Sequence, residues 1–220
     1  MSKGIFVTGT GTDVGKTYVA AEIVKALKEN GYSVGYYKAA LSGADSIEES
    51  DAGYVKRTAK LEQPDGTLVS YIYKTAVSPH LAARLEGNPV DMDKVKDDYM
   101  RLAAEYDFVV VEGSGGIVCP IRWDDEKRIL LEDVIAELGL DTVVVADSGL
   151  GTINAAVLTV EYLKNRGIEV IGVIMNRNRG GVMEEDNERM IEELTGVSVL
   201  DKIRIDTSSA VDISKFVDAV

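Results

Sequence analysis

A single cysteine, Cys119, stands in this chain of 220 residues, so no internal disulfide can form. It follows Val118 and precedes Pro120, a setting for a small buried hydrophobe or, on the other reading, a reactive thiol. Histidine is equally scarce. His80, in "SPHLAARLEG", is alone, which excludes a histidine metal cluster and any His-based triad that it does not itself serve. A surface or helix-start position suits it. No apolar run approaches the ~20 residues of a membrane span. Basic clusters are also missing: 24 Lys and Arg face 37 Asp and Glu, and a net charge of −13 argues against a nucleic-acid partner. The start, "MSKGIFVTGTG", carries no signal-peptide pattern, so the expected location is the cytoplasm.

What is present is alternation. Strands are predicted at Ile5–Val7, Val34–Tyr37, Leu68–Tyr73, Phe108–Val111, Thr142–Ala146 and Val170–Met175. Runs such as "FVVV" and "TVVVA" read as strands buried on both faces. Helical patterns fall between them, over Lys16–Glu29, Asp51–Lys60, Met92–Ala104, Leu130–Leu138, Ile153–Arg166 and Glu184–Leu194. "QPDGT" reads as a turn, and residues 208–220 as a last, acidic helix. The expected fold is one α/β domain over residues 1–220, a doubly wound, mainly parallel sheet with helices on both faces. Ligands on such sheets bind beyond the carboxyl ends of the strands.

The first strand runs into "GTGTDVGKT", Gly9 to Thr17. Backbone N–H groups and a helix N-terminus at such a loop favour phosphate. Lys16 reaches the β/γ-phosphates and Thr17 offers a hydroxyl to Mg²⁺. The fold is therefore P-loop NTPase-like, with Asp13, Val14, Gly15, Lys16, Thr17 and Tyr18 expected around the nucleotide. The usual spacing places a glycine where Thr10 stands; here the glycine is one residue further back.

Other strand ends add chemistry. Lys38, in "YYKAALSG", is expected at the carboxyl end of the second strand, beside the first, where its charge meets a transferring phosphoryl group. Glu112 opens "EGSGG", with Gly113, Ser114 and Gly115 beside the nucleotide. Thr17, Asp51 and Glu112 together offer oxygen ligands suited to Mg²⁺. Asn176 is either an adenine contact or an ordinary turn residue. Gly149 and Gly151 precede a helix start that suits a carboxylate, or Thr152 simply caps that helix.

"TGTGTDVGKT", "KAALSG", "SPH", "VEGSGG" and "GLGTIN" occur in the order found in the dethiobiotin synthetase family, which the chain resembles from Phe6 to about Asn176. The longer loop is itself a trait of that family. The resemblance implies a reaction: 7,8-diaminononanoate takes up CO₂ (or bicarbonate) as a carbamate, ATP phosphorylates it to a mixed anhydride, and the second amine closes the ring. It implies catalytic roles for Lys38, Lys16 and Thr12. Substrate contacts are implied for Thr12, Lys38, Ser42, Gly115, Gly151, Thr152 and Asn154. Asp51 and Glu112 match metal carboxylates, Asn176 matches the adenine contact, and a homodimer is implied. Ala39 departs from a common proline, and Thr152 stands where some members have cysteine. Asp201 and Arg204, in "LDKIR", replace residues bordering the adenine, which leaves nucleotide selectivity open. Two other readings remain. A switch ATPase of the same branch carries a lysine where this chain has Gly11; a non-catalytic nucleotide-binding module has no use for Lys16, Thr17, Lys38, Asp51 and Glu112 together.

Overall fold

The computed structural model describes residues 3–204, 211, 212 and 214. In chain order the elements are β1 (Lys3–Gly9), α1 (Lys16–Glu29), β2 (Val34–Ser42), α2 (Asp51–Thr58), β3 (Val69–Tyr73), α3 (Pro79–Glu86), α4 (Met92–Glu105), β4 (Phe108–Glu112), β5 (Pro120–Trp123), β6 (Arg128–Leu130), α5 (Leu131–Leu138), β7 (Asp141–Asp147), α6 (Thr152–Asn165), β8 (Val170–Asn178), α7 (Val182–Thr195) and β9 (Val199–Arg204). Seven strands form one sheet in the order β3-β2-β4-β1-β7-β8-β9, and every pairing in it is parallel. Strands β5 and β6 form a separate antiparallel hairpin.

Alternation within each strand divides the core. Ile5 and Val7 of β1 pack with Val19, Ile23 and Leu27 of α1 and with Val55 of α2. Phe6, pointing the other way, joins Val95, Leu102, Val134, Val160 and Ile191 from α4 to α7. Connections that move toward β3 use the α1/α2 face and those that move toward β9 use the other face, so the crossovers share one hand.

Two expectations about β2 need correction. β2 does not lie beside β1: the chain returns from β3 through α3 and α4 and inserts β4 between them. Lys38 is not the end of its strand, because β2 continues to Ser42, paired with β3 from Lys38↔Val69 to Ser42↔Tyr73. Four elements carried too little periodicity to be foreseen: α3, whose eight residues begin with proline, the short β5 and β6, and β9, where Asp201 and Lys202 interrupt the apolar run. The expected turn at "QPDGT" holds a 3₁₀ turn, Asp65–Thr67. The expected helix through Lys60 stops at Thr58, and Lys60 takes φ +51°. The helix expected over residues 208–220 lies, all but three residues, outside the described residues.

Candidate active site

The loop between β1 and α1 is shaped by two left-handed residues, Asp13 (φ +60°) and Gly15 (φ +92°). At Gly15 only glycine fits, since a Cβ there lies 2.1 Å from Asn176 Nδ2. Helix α1 has no side-chain N-cap. Among the described residues, the N–H groups of Val14, Gly15, Lys16 and Thr17 donate to no protein acceptor. Four donors and the positive end of a 14-residue helix thus converge at one place, which suits a phosphate. The carbonyls of the loop, in contrast, are occupied. Asn176 Nδ2 donates to Val14 O at 2.9 Å, Arg177 Nη2 to Asp13 O at 2.5 Å, and Lys16 Nζ to Gly11 O at 2.8 Å. Burial lowers the pKa of Lys16, with Glu112 pulling the other way.

One face of β2 presents Tyr36 and Lys38, two residues apart, to the α1/α2 side. Lys38 Nζ donates to Asp51 Oδ2 at 2.6 Å and to Glu112 Oε1 at 3.1 Å. Burial opposes the charge of Lys38, yet Glu112 and Asp51 outweigh it and raise the pKa. For Asp51, burial pushes the pKa up but Lys38 pulls it further down, below the usual carboxylate value. Glu112 is held from three sides: Oε1 also accepts from Thr17 Oγ1 at 2.8 Å, and Oε2 from Tyr36 OH at 2.7 Å. Tyr36 is held in turn by Gln63, whose Oε1 accepts from Tyr36 N at 2.8 Å and whose Nε2 donates to Tyr36 O at 2.9 Å. Burial, then the Glu112 charge, raises the Tyr36 hydroxyl well above its ordinary value, so it remains a donor. The Thr17 hydroxyl and the Asp51 and Glu112 carboxylates are hard oxygen donors, the chemistry Mg²⁺ takes. Among the described residues no cluster of three or more His, Cys, Asp or Glu side chains is placed to hold a metal unaided.

Two cavities meet at Lys38. One, of about 630 Å³, runs along the loop past Lys16, Thr17, Tyr18 and Glu112. The other, of about 510 Å³, is walled by Leu41, Val77, Pro79, Val118 and Pro120, with Ser42 and Ser114 as polar points. Thr12, Lys38, Asp51 and Gly115 line both. Ser42 Oγ donates to Val77 O and Ser114 Oγ to Ala40 O, each at 2.6 Å, so both hydroxyls hold the cavity wall. Gly113 is glycine for packing: a Cβ there lies 2.9 Å from both Phe6 and Leu131. Cys119 borders the second cavity but is buried, which pushes its thiol up to about 11 and keeps it an inert hydrophobe at neutral pH. His80 is the second residue of α3, a helix-start position, with a buried Nδ1 that meets no hydrogen-bond partner among the described residues.

Gly151, Thr152 and Asn154 line neither cavity. They start α6 beyond β7, where Gly151 (φ +90°) leaves the helix without a side-chain cap, so Thr152 does not cap it. Among the described residues the buried Thr152 hydroxyl there meets no hydrogen-bond partner. Asn176 reaches the phosphate loop and holds Val14. Arg204 borders a separate cavity of about 220 Å³ between α7 and β9, whereas Asp201 accepts from the N–H groups of Lys202 and Asp212. Sequence reasoning passed over Tyr36, and over Tyr54, Arg57 and Arg177, which line the nucleotide-side cavity. Their spacing is unremarkable; only the strand order and α2 bring them to the loop.

The parallel sheet and the loop at the end of β1 define a P-loop nucleoside-triphosphate-binding protein. Solved structures agree on the fold: a chain of the MinC:MinD cell division protein complex of Aquifex aeolicus (TM-score 0.59, 15% identity, 98% of this chain and 86% of that one) and a ParA family ATPase of Chlorobium tepidum (TM-score 0.55, 18% identity, 93% and 85%). The sequence matches the family described as "AAA domain" over residues 3–209. It is 52% identical, over 91% of both chains, to a protein of Brachyspira hyodysenteriae named ATP-dependent dethiobiotin synthetase BioD. A Clostridium kluyveri protein of the same name is 45% identical over 93% of this chain and 86% of its own. The chain belongs to the dethiobiotin synthetase family.

Proposed function

We propose that the chain is an ATP-dependent ligase that forms dethiobiotin from 7,8-diaminononanoate, CO₂ (or bicarbonate) and ATP, with Mg²⁺. The observation that carries this reading is the meeting of two cavities at one buried ammonium, Lys38. A ligase that joins two anions needs this arrangement. The carbamate formed on one amine and the γ-phosphate it attacks repel each other, and a fixed cation between them lowers that barrier. The carbamate oxygen bonds to the γ-phosphorus and ADP leaves. The second amine then attacks the carbonyl carbon, loses a proton, and phosphate departs, closing the cyclic urea. Mg²⁺, which Thr17, Asp51 and Glu112 would hold, would supply charge neutralisation on the phosphates.

In this reading Lys16 and the N–H groups from Asp13 to Tyr18 hold the phosphates. Thr12 and Gly115 sit at the junction, Gly113 and Ser114 border the nucleotide, and Ser42 faces the diamine. Asn176 meets the base. The apolar wall of Leu41, Val77 and Pro120 suits an aliphatic chain. The carboxylate of the diamine reaches the start of α6 at Gly151–Asn154, across a homodimer interface. Exposed Leu158 lies one turn beyond Asn154 on the same helix face, and exposed Leu150 precedes the helix, which supports a partner there. The continuous sheet supports one domain over residues 1–220. No described helix is long and apolar enough to cross a membrane, and a cytoplasmic location accords with ATP as co-substrate.

The test is phosphate release from Mg-ATP with and without the diamine and bicarbonate. Release is expected to need both, and to fall about 10²–10³-fold in Lys38→Ala, the loss typical of a single transition-state charge contact. Release indifferent to the diamine overturns the ligase reading in favour of a switch ATPase.

A further inference from the structure

We propose that Arg177 is a positioning residue that aims backbone N–H groups of the phosphate loop at the nucleotide. This rests on the nucleotide reading of the loop above. In a planar trans peptide the C=O of one residue and the N–H of the next point in opposite directions. Holding the carbonyl of Asp13 therefore directs the N–H of Val14, and holding that of Val14 directs the N–H of Gly15. Both carbonyls are held from the end of β8, by Arg177 at 2.5 Å and Asn176 at 2.9 Å. Both N–H groups consequently face away from β8, and among the described residues no protein acceptor meets them.

The loop needs this restraint. Asp13 sits at φ +60°, an unfavourable region for a residue with a side chain. Arg177 itself sits at φ +59°. What holds it there is β7: Arg177 Nη1 lies 3.4 Å from Asp147 Oδ2, and Asp147 Oδ1 accepts from Gly149 N at 2.8 Å. Ser148 adds two bonds, from its N–H and its hydroxyl, to the carbonyl of Asn176. Adjacent strand ends are thus tied to each other and then to the loop. Arg177 also lines the nucleotide-side cavity, so a direct charge contact with phosphate is the rival role.

Calorimetric affinities for ADP and AMP separate the two roles, measured on the full chain and on Arg177→Gly, Arg177→Lys and Asp147→Asn. Glycine accepts φ +59° without strain, so Arg177→Gly removes the side chain at little risk to folding. Arg177→Gly is expected to weaken ADP by about 5–10-fold and AMP clearly less, because the loop amides cradle the α- and β-phosphates and AMP lacks the second. Arg177→Lys restores most of the loss. Asp147→Asn weakens ADP slightly by loosening the tether. An equal loss for ADP and AMP, or none, overturns the proposal. Tighter ADP binding in Asp147→Asn also overturns it, since a guanidinium acting by charge gains when its carboxylate is neutralised. Absence of ADP binding in the unaltered chain overturns the nucleotide reading itself, and the proposal with it.

Discussion

Glu112 spends three hydrogen bonds on Thr17, Lys38 and Tyr36 while almost fully buried. A carboxylate in that position is tolerable only because each oxygen has a donor. Among the described residues the Tyr36 hydroxyl is the one donor to Oε2, and it is itself fully buried. Tyr36→Phe keeps the ring and removes that donor. It is expected to lower unfolding free energy by about 1–3 kcal/mol, the cost of a buried unsatisfied acceptor. Urea unfolding at pH 7 measures it, and a change under about 0.5 kcal/mol shows that Glu112 finds another donor. Tyr36 was invisible as a functional residue in the sequence because tyrosine in a strand reads as core. Lys38 was visible because a lysine inside an apolar run needs a reason.

Between elements, the contact of β8 with β9 illustrates how closely the sheet is fitted. A Cβ at Gly172 lies 2.2 Å from Leu200 Cγ and 2.4 and 2.7 Å from its two methyls. Gly172→Ala is expected to cost about 1–3 kcal/mol by overpacking. In a Leu200→Ala background the added cost is expected to fall below about 0.5 kcal/mol, because the collision is gone; a double-mutant cycle reads that coupling. An undiminished cost in that background assigns the loss to the strand backbone. β9 itself escaped the sequence pattern, since Asp201 and Lys202 sit mid-strand. Tertiary pairing with Val173 and Ile174 overrides that local polarity.

For the whole molecule, the start of α6 carries the question. Gly151, Thr152 and Asn154 stand outside both cavities of their own chain, while Leu158 is 63% and Leu150 94% exposed. If a second copy covers this face, Leu158→Glu places a charge in the interface and is expected to shift sedimentation from two chains to one. The KM for the diamine is then expected to rise more than about fivefold with the KM for ATP unchanged, since only the diamine site spans the interface. A variant that stays dimeric with an unaltered diamine KM moves the interface to another face.

Local chemistry was legible from residue order alone. The alternating pattern, the glycines and Lys16–Thr17 of the loop, and Glu112 after four apolar residues each follow from short-range rules of propensity, periodicity and phosphate binding. Those rules act within a few residues, so one chain's order suffices to read them. Neighbours across the sheet were a different matter. That β4 rather than β1 lies beside β2, that Tyr36 meets Glu112 76 residues away, and that Arg177 reaches Asp13 164 residues away depend on how the crossovers stack. Burial on both faces of the sheet sets that stacking by summing many weak apolar contacts, and no local signal encodes such a sum.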